Sequence, residues 1–430
     1  MPSSDRASVA VLSIFTLLGS GAAFTTQILI ARALGPSEFG IFASALATVT
    51  AAAPLAGFGV QSFWLRVFGE EGWGARRWMP ASLRFGIWST FSALCLVSVV
   101  GLLAGASSHA GASLLILQFH LLSMAFLEII GTRFLLEERP LALMLWQTVP
   151  QFARLGVVSL LLCKVQGLDA QAMSWAFALV AVITLVAGWR HLNSLARGEI
   201  KLVGHGPAGL LSSSVAQSEV PRMIEAGKGA LPYGLGGIFY QFYFQASIVS
   251  LTYLLGSAAA GTYGAAASIL MAVYMVPNVV YQKMMLPRLH RWAAHSQERY
   301  LQTHARGVKL MAGLGSLAGL GCAVTSPFVI PLIFGDQYRQ AGILLSGLSV
   351  AIPLRFVSIS VGASLSLDCF VRPKVAAMFA VAAICVGLNL ICIPVLGLWG
   401  AVLSTVTGEA TLVAFYLWLA RTLRPGWGSQ

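Results

Sequence analysis

The stretch ILIARALGPSEFGIF, from Ile28 to Phe42, shows how this chain is organised. An apolar helical pattern ends at Arg32, is interrupted by Leu-Gly-Pro, and resumes after Glu38 as a second apolar helical pattern. Gly followed by Pro is typical of a turn, so the stretch predicts a helical hairpin. Arg32 would then either anchor a helix end or contact a ligand near the turn.

The composition is that of a protein that crosses a membrane many times. Of its 430 residues 57% are hydrophobic and 10% are charged, the mean hydropathy is +0.80, and soluble domains have about 25% charged residues. Apolar helices of about 18 residues or more can cross a hydrocarbon core. We predict an all-α integral membrane protein with about twelve spans, at residues 8–31, 39–62, 81–105, 112–135, 141–163, 171–189, 229–252, 260–284, 307–333, 341–366, 373–394 and 398–420.

The basic residues support this span count. With the N-terminus inside, 22 of the 27 Lys and Arg residues fall on the inner side, three on the outer side and two within spans. Inner loops of membrane proteins carry this excess, so both termini are predicted to be cytoplasmic. The net charge of +12 is thereby explained by topology, and no nucleic-acid partner is predicted.

Three short motifs recur at similar displacements of 221, 233 and 230 residues. The pairs are Leu34-Gly35 with Leu255-Gly256, Arg139-Pro140 with Arg372-Pro373, and Val165–Leu168 with Val395–Leu398. They predict two six-helix bundles, residues 1–190 and 229–430, joined by a cytoplasmic linker, residues 191–228. Six is an even number, so the two halves would form a parallel repeat, which is typical of alternating-access transporters.

Several motifs resemble those of a known family. Ala31–Gly40 is similar to the "aRlLGpeeyG" signature of the polysaccharide-repeat flippases, the Wzx-type branch of the MATE/MurJ-like exporter superfamily. Leu286–Leu289, Pro331–Tyr338 and Ile393–Ala401 are also similar to that family, in the same order. The resemblance implies a V-shaped fold with two bundles around a central cavity. It also implies that the protein flips undecaprenyl-diphosphate-linked oligosaccharide from the inner to the outer leaflet of the cell inner membrane.

The same resemblance implies partners in glycan synthesis, namely a polysaccharide polymerase and glycosyltransferases. It points to a polysaccharide such as an exopolysaccharide or O-antigen and does not identify the sugar. The rival interpretation is an ion-coupled small-molecule or multidrug antiporter of the same superfamily. A membrane-embedded glycan-processing enzyme is the weaker alternative, and we found no sequence motif for a metal, cofactor or nucleotide site.

Charged residues within apolar spans are costly and are therefore candidates for function. The four in this chain are Glu128, Arg154, Arg355 and Glu409. Arg154 follows Gln147 and Gln151 at helical spacing, which places the three on one face, with Arg154 about 20 Å from the inner surface. We predict that Arg154 binds the lipid diphosphate and the glutamines bind sugar hydroxyls. The alternative is a structural interaction of Arg154 with Glu128 or with backbone carbonyls of a neighbouring helix.

Arg355 and Glu409 are predicted at comparable depth, where they would pair or form a switch. Arg355 is kept as a second candidate for the diphosphate, and Glu128 and Glu409 are kept as candidates for ion coupling or charge pairing.

The remaining candidates are polar or aromatic residues. Tyr240, Gln241 and Gln245 in span seven suit sugar rings, although aromatic residues are equally common in packing. We interpret Arg32 as an anchor for a helix end in preference to a substrate contact. We interpret His120 as a structural residue in preference to a proton relay.

Overall fold

The structure is a computed structural model that describes residues 3–202, 221–279, 281, 297–365 and 371–422. Within these ranges it is helical with no strand, which confirms the all-α class. Part of the predicted linker (203–220), the end of predicted span eight and the motif Leu286–Leu289 lie outside the described residues. The helices are α1 (Ser3–Ala52), α2 (Val60–Glu71), α3 (Trp78–Leu103), α4 (His109–Ile116), α5 (Gln118–Leu136), α6 (Pro140–Lys164), α7 (Ala170–Ala196), α8 (Met223–Leu255), α9 (Ser257–Asn278), α10 (Gln297–Phe334), α11 (Arg339–Leu348), α12 (Ala351–Ser364), α13 (Val371–Leu396) and α14 (Leu398–Thr422).

The described helices are long and apolar enough for several membrane crossings. Eight helical stretches pass this test, or nine if the bent pair α11 and α12 is one span. The first stretch, Ile14–Leu103, covers three of the predicted spans. Large apolar side chains such as Phe328 and Val395 are exposed, as a lipid-facing surface requires. The count of twelve stays a prediction.

Contacts along the chain define two compact units, Met1–Ser44 with Phe242–Gln430, and Ala45–Gln241. These units are defined by packing, whereas the predicted bundles 1–190 and 229–430 were defined by the sequence repeat. The division into those bundles and the intervening linker stays a prediction.

The Leu-Gly turn quoted at the start of the sequence has the same backbone geometry as its repeat. Gly35 interrupts α1 with φ 75° and ψ 171°, and Gly256 separates α8 from α9 with φ 93° and ψ 173°. This region of backbone space is accessible almost exclusively to glycine. The backbone conformation of the turn therefore requires the recurring glycine, independently of the side chains that surround it.

The helices that follow these two turns pack backbone against backbone in the first unit. A β-carbon on Gly40 would lie 1.8 Å from the Ser257 carbonyl oxygen, and one on Gly261 would lie 2.0 Å from the Pro36 carbonyl oxygen. The contact is reciprocal, because a displacement of 221 residues converts Pro36 into Ser257 and Gly40 into Gly261. The sequence repeat is thus also a repeat in packing at this contact.

A third glycine turn holds the end of the first apolar helix. Gly335, with φ 101°, precedes a 3₁₀ turn, Asp336–Tyr338. The buried Tyr338 hydroxyl donates a hydrogen bond to the Ala31 carbonyl at 2.9 Å, and the Gln337 amide donates to the Arg32 carbonyl at 3.4 Å. These bonds satisfy carbonyls that a helix end leaves unpaired.

The second predicted span, residues 39–62, is broken, which corrects the prediction of one continuous helix. α1 ends at Ala52, a 3₁₀ turn covers Ala53–Leu55, and α2 begins at Val60. Between them Gly57, Phe58 and Gly59 all have positive φ, a conformation that cannot continue a right-handed helix. Hydropathy misses this break because the residues on both sides of it are apolar.

The turn between α5 and α6 contains a second residue other than glycine with positive φ, Glu138 (φ 49°). Its neighbour Glu137 is buried and pairs with Arg133 at 2.9 Å and Arg139 at 3.3 Å. The Arg139 amide donates to the Phe134 carbonyl, a bond that closes the last turn of α5. The turn therefore combines a well-paired buried carboxylate with one strained backbone position.

Glu138→Gly should stabilise the protein by about 1 kcal/mol, because glycine adopts the left-handed conformation without steric cost. The Glu138 side chain is exposed and makes no salt bridge among the described residues, so little else is lost. A higher thermal unfolding midpoint of the detergent-solubilised protein would support this. A lower midpoint would show that the strain is compensated elsewhere.

Candidate substrate-binding site

The second unit contains a cation, Arg154, that forms no salt bridge with any described residue. Its guanidinium donates a hydrogen bond to the Gln151 side-chain oxygen at 3.2 Å and lies 5.3 Å from the centre of the Phe177 ring. Its Nε is buried without a hydrogen-bond partner, although the residue as a whole is partly exposed. In the described part of the chain, no salt bridge includes Arg154. The group therefore has donors to offer to an anion.

The helix that carries Arg154 is polar on the predicted face. α6 runs unbroken from Pro140 to Lys164, so Gln147, Gln151 and Arg154 follow one another at successive turns. Pro150 lies between the two glutamines and lacks an amide hydrogen, which leaves the Trp146 carbonyl without its usual helical donor. Gln147 is exposed and Gln151 is half-buried. This face thus offers amide groups as well as the cation.

His120 belongs beside Arg154, a placement that sequence reasoning missed. The His120 ring packs edge-on against Phe177, with centroids 5.6 Å apart, and is close enough to Arg154 for an electrostatic interaction. Phe177 therefore lies next to both basic side chains. No pattern in the sequence links these residues, because they come from α5, α6 and α7 and meet only through helix packing.

Glu128 lies on α5 and is not paired with Arg154. Its side chain is exposed, the Gln61 side chain is close enough to interact with its carboxyl group, and the salt bridges among the described residues do not include it. The pair between Arg154 and Glu128 that was considered as one structural alternative is therefore not present. The role of Glu128 in ion coupling stays a prediction.

Arg355 and Glu409 form an ion pair in the first unit. The Arg355 Nη1 lies 3.4 Å from the Glu409 Oε1, and their side chains are 4% and 1% exposed. The guanidinium also lies 5.4 Å from the ring centres of both Phe244 and Tyr274. The structure thus brings together the two residues predicted at comparable depth, as a pair. A substrate contact by Arg355 would require this pair to open, and stays a prediction.

The remaining candidates are residues of α8 and the end of the first apolar helix. Tyr240 and Gln241 on α8 are half-buried, and Gln245 one turn later is 8% exposed. The Arg32 side chain is exposed while its carbonyl is held by Gln337, which fits a helix end. Their roles toward a sugar or a phosphate stay predictions.

The fold and these apolar helices define a multi-pass membrane protein. The chain is similar in fold to a multidrug resistance MATE family transporter of the MOP superfamily in an inward-facing conformation, with 15% identity, a TM-score of 0.70 and coverage of 94% of this chain and 95% of that one. It is also similar to the lipid II flippase MurJ in an inward closed conformation, with 12% identity, a TM-score of 0.72 and coverage of 96% and 88%. At these identities the likeness concerns the fold alone.

The chain belongs to the polysaccharide biosynthesis protein family, whose model matches residues 6–292. This match confirms the resemblance found in the sequence motifs. No curated protein sequence matches the chain. A third solved structure, a MOP superfamily transporter from Pyrococcus furiosus, has 16% identity and a TM-score of 0.58, with coverage of 98% of this chain and 96% of that one.

Proposed function

We propose that this transporter flips a polyprenyl-diphosphate-linked oligosaccharide from the inner to the outer leaflet by alternating access. It would act in the cytoplasmic membrane with both termini inside, as the distribution of basic residues predicts. The observation that carries the proposal is Arg154, a partly exposed cation deep in a helix with no acidic partner among the described residues. A diphosphate would supply the missing negative charge.

The energetics favour an anionic ligand at this position. Arg154 follows Pro140 by 14 residues, which corresponds to about 21 Å along the helix axis. An arginine at the centre of a membrane helix costs about 2.5–3.5 kcal/mol on insertion scales, and such residues usually face a bundle interior or water. The planar guanidinium can donate two parallel hydrogen bonds to phosphate oxygens. The Phe177 ring beside the guanidinium would limit water around that contact.

The amides beside Arg154 suit the other part of the cargo. Gln147 and Gln151 each offer a hydrogen-bond donor and an acceptor, and a sugar hydroxyl group can likewise donate and accept a hydrogen bond. The prenyl chain would remain in the lipid, since nothing is gained by moving it through a polar site. A diphosphate-linked oligosaccharide could therefore bind both the Arg154 guanidinium and the glutamine amides of α6.

A multidrug antiporter of the same superfamily is a poorer match to this site. A cationic drug would be repelled by the guanidinium of Arg154. The site therefore favours the glycan carrier over the antiporter.

Arg154→Gln should lower the affinity for a synthetic prenyl-diphosphate disaccharide about 10- to 100-fold. A hydrogen bond to a charged group contributes about 1.5–3 kcal/mol, and 1.4 kcal/mol corresponds to a tenfold change. Arg154→Lys keeps the charge and loses the bidentate geometry, so we expect an intermediate affinity. Binding to purified protein in nanodiscs and glycan export in cells should fall together.

The matched control is Arg197→Gln, because Arg197 is exposed beyond the end of α7. It should bind and export like the native protein. Native affinity and full export by Arg154→Gln would remove Arg154 from the site and with it the basis of the proposal.

A further inference from the structure

Glu128 is an exposed carboxylate within an apolar helical stretch, His109–Leu136. It has no salt bridge among the described residues, and the Gln61 side chain of α2 lies close enough to interact with its carboxyl group. A charged side chain in such a stretch is tolerated where it faces water, a cavity or a partner group. Because Glu128 is exposed, its carboxylate is accessible to a ligand at the surface of α5.

This carboxylate lies near the inner part of the polar face on α6. One turn beyond Glu128, a β-carbon on Gly131 would lie 3.8 Å from the Gln147 side-chain nitrogen. The Trp146 indole donates a hydrogen bond to the Leu127 carbonyl at 3.3 Å. Residues adjacent to Glu128 on α5 thus pack directly against residues adjacent to Gln147 on α6.

Along α5 and α6, the basic side chains His120 and Arg154 lie toward one end, and Glu128 and Gln147 lie toward the other. On α5, His120 and Glu128 are eight residues apart, or about 12 Å along the axis. On α6, Arg154 and Gln147 are seven residues apart, or about 10 Å. His120 and Arg154 share Phe177 at one end. A ligand that uses both ends has an anionic group at one and hydrogen-bond donors at the other.

We propose that Glu128 is a specificity residue that accepts hydrogen bonds from hydroxyl groups of uncharged sugars and excludes cargo with acidic sugars. This inference rests on the proposed function, because it assigns the sugar chemistry of the same site. An ionised carboxylate accepts hydrogen bonds and donates none, so hydroxyl groups satisfy it. A sugar carboxylate in the same place would be repelled, which is selection against a wrong ligand.

The test compares two synthetic prenyl-diphosphate disaccharides, one with two neutral hexoses and one with two hexuronic acids. Binding is measured with the full-length protein in nanodiscs. We expect the native protein to bind the neutral compound at least tenfold more tightly than the acidic one. Glu128→Gln should reduce this preference to threefold or less, mainly through tighter binding of the acidic compound. Glu128→Asp keeps the charge and should keep the preference.

Glu138→Gln is the matched control, since Glu138 is an exposed glutamate at the turn after the same helix. It should leave the preference for the neutral compound unchanged. An equal preference in native protein and Glu128→Gln would overturn this inference while the diphosphate site remains intact. If the native protein binds neither compound, the proposed function itself fails, and this inference fails with it.

Discussion

Gly40→Ala and Gly261→Ala are each expected to lower the free energy of unfolding by about 3 kcal/mol. The added β-carbon would lie 1.8 Å from the Ser257 carbonyl oxygen in the first variant and 2.0 Å from the Pro36 carbonyl oxygen in the second. Both obstructing atoms belong to helix backbone, so no side chain can rotate away. The two helices must move apart and lose the contact on either side.

The thermal unfolding midpoint of the detergent-solubilised protein measures this effect. Gly21→Ala is the matched control, because Gly21 lies on the same helix and its β position has nothing within 4 Å. Alanine is the better helix former, so this control should be neutral or slightly stabilising. A midpoint for Gly40→Ala equal to that of the native protein would contradict the close packing.

The double variant Gly40→Ala/Gly261→Ala should cost less than the sum of the two single changes. The two glycines face each other in one contact, and the first substitution already separates the helices. Additive effects would mean that the two positions are independent. The reciprocal contact created by the sequence repeat would then have no energetic consequence.

The features that sequence predicted well are those set by local geometry. The Gly35 and Gly256 turns follow from a backbone conformation that only glycine adopts readily. The polar face of α6 follows from helical periodicity alone, because Gln147, Gln151 and Arg154 needed only an unbroken helix to line up. Each of these statements depends on residues that are close together in the chain.

Apart from the Arg355–Glu409 pair, which comparable depth in the membrane indicated, features that depend on packing between distant helices were not predicted. His120 joins Arg154 through Phe177, and these three come from three helices with no shared sequence pattern. The break at Phe58 was missed because apolar residues flank it on both sides. Hydropathy indicates which residues are buried away from water. It does not indicate which of those residues contact one another in the folded protein.

Variants of Arg355 and Glu409 can separate the contribution of this ion pair to protein stability from its contribution to transport. Removing one member of a buried pair leaves an uncompensated charge, so Arg355→Met and Glu409→Leu should each cost about 3–5 kcal/mol of unfolding free energy. The pair is almost fully buried, with side-chain exposures of 4% and 1%. The Arg355→Met variant also loses the contacts of the guanidinium with the Phe244 and Tyr274 rings.

The double variant Arg355→Met/Glu409→Leu should recover most of that stability, because two apolar side chains of similar volume often replace a buried ion pair at no cost. Thermal unfolding of all four proteins gives the coupling energy between the two positions. A double variant no more stable than either single variant would contradict the pairing. Glycan export by a stable double variant then decides the role of the pair. If export is lost while stability is restored, the charges act in transport, and if export is retained, the pair serves packing alone.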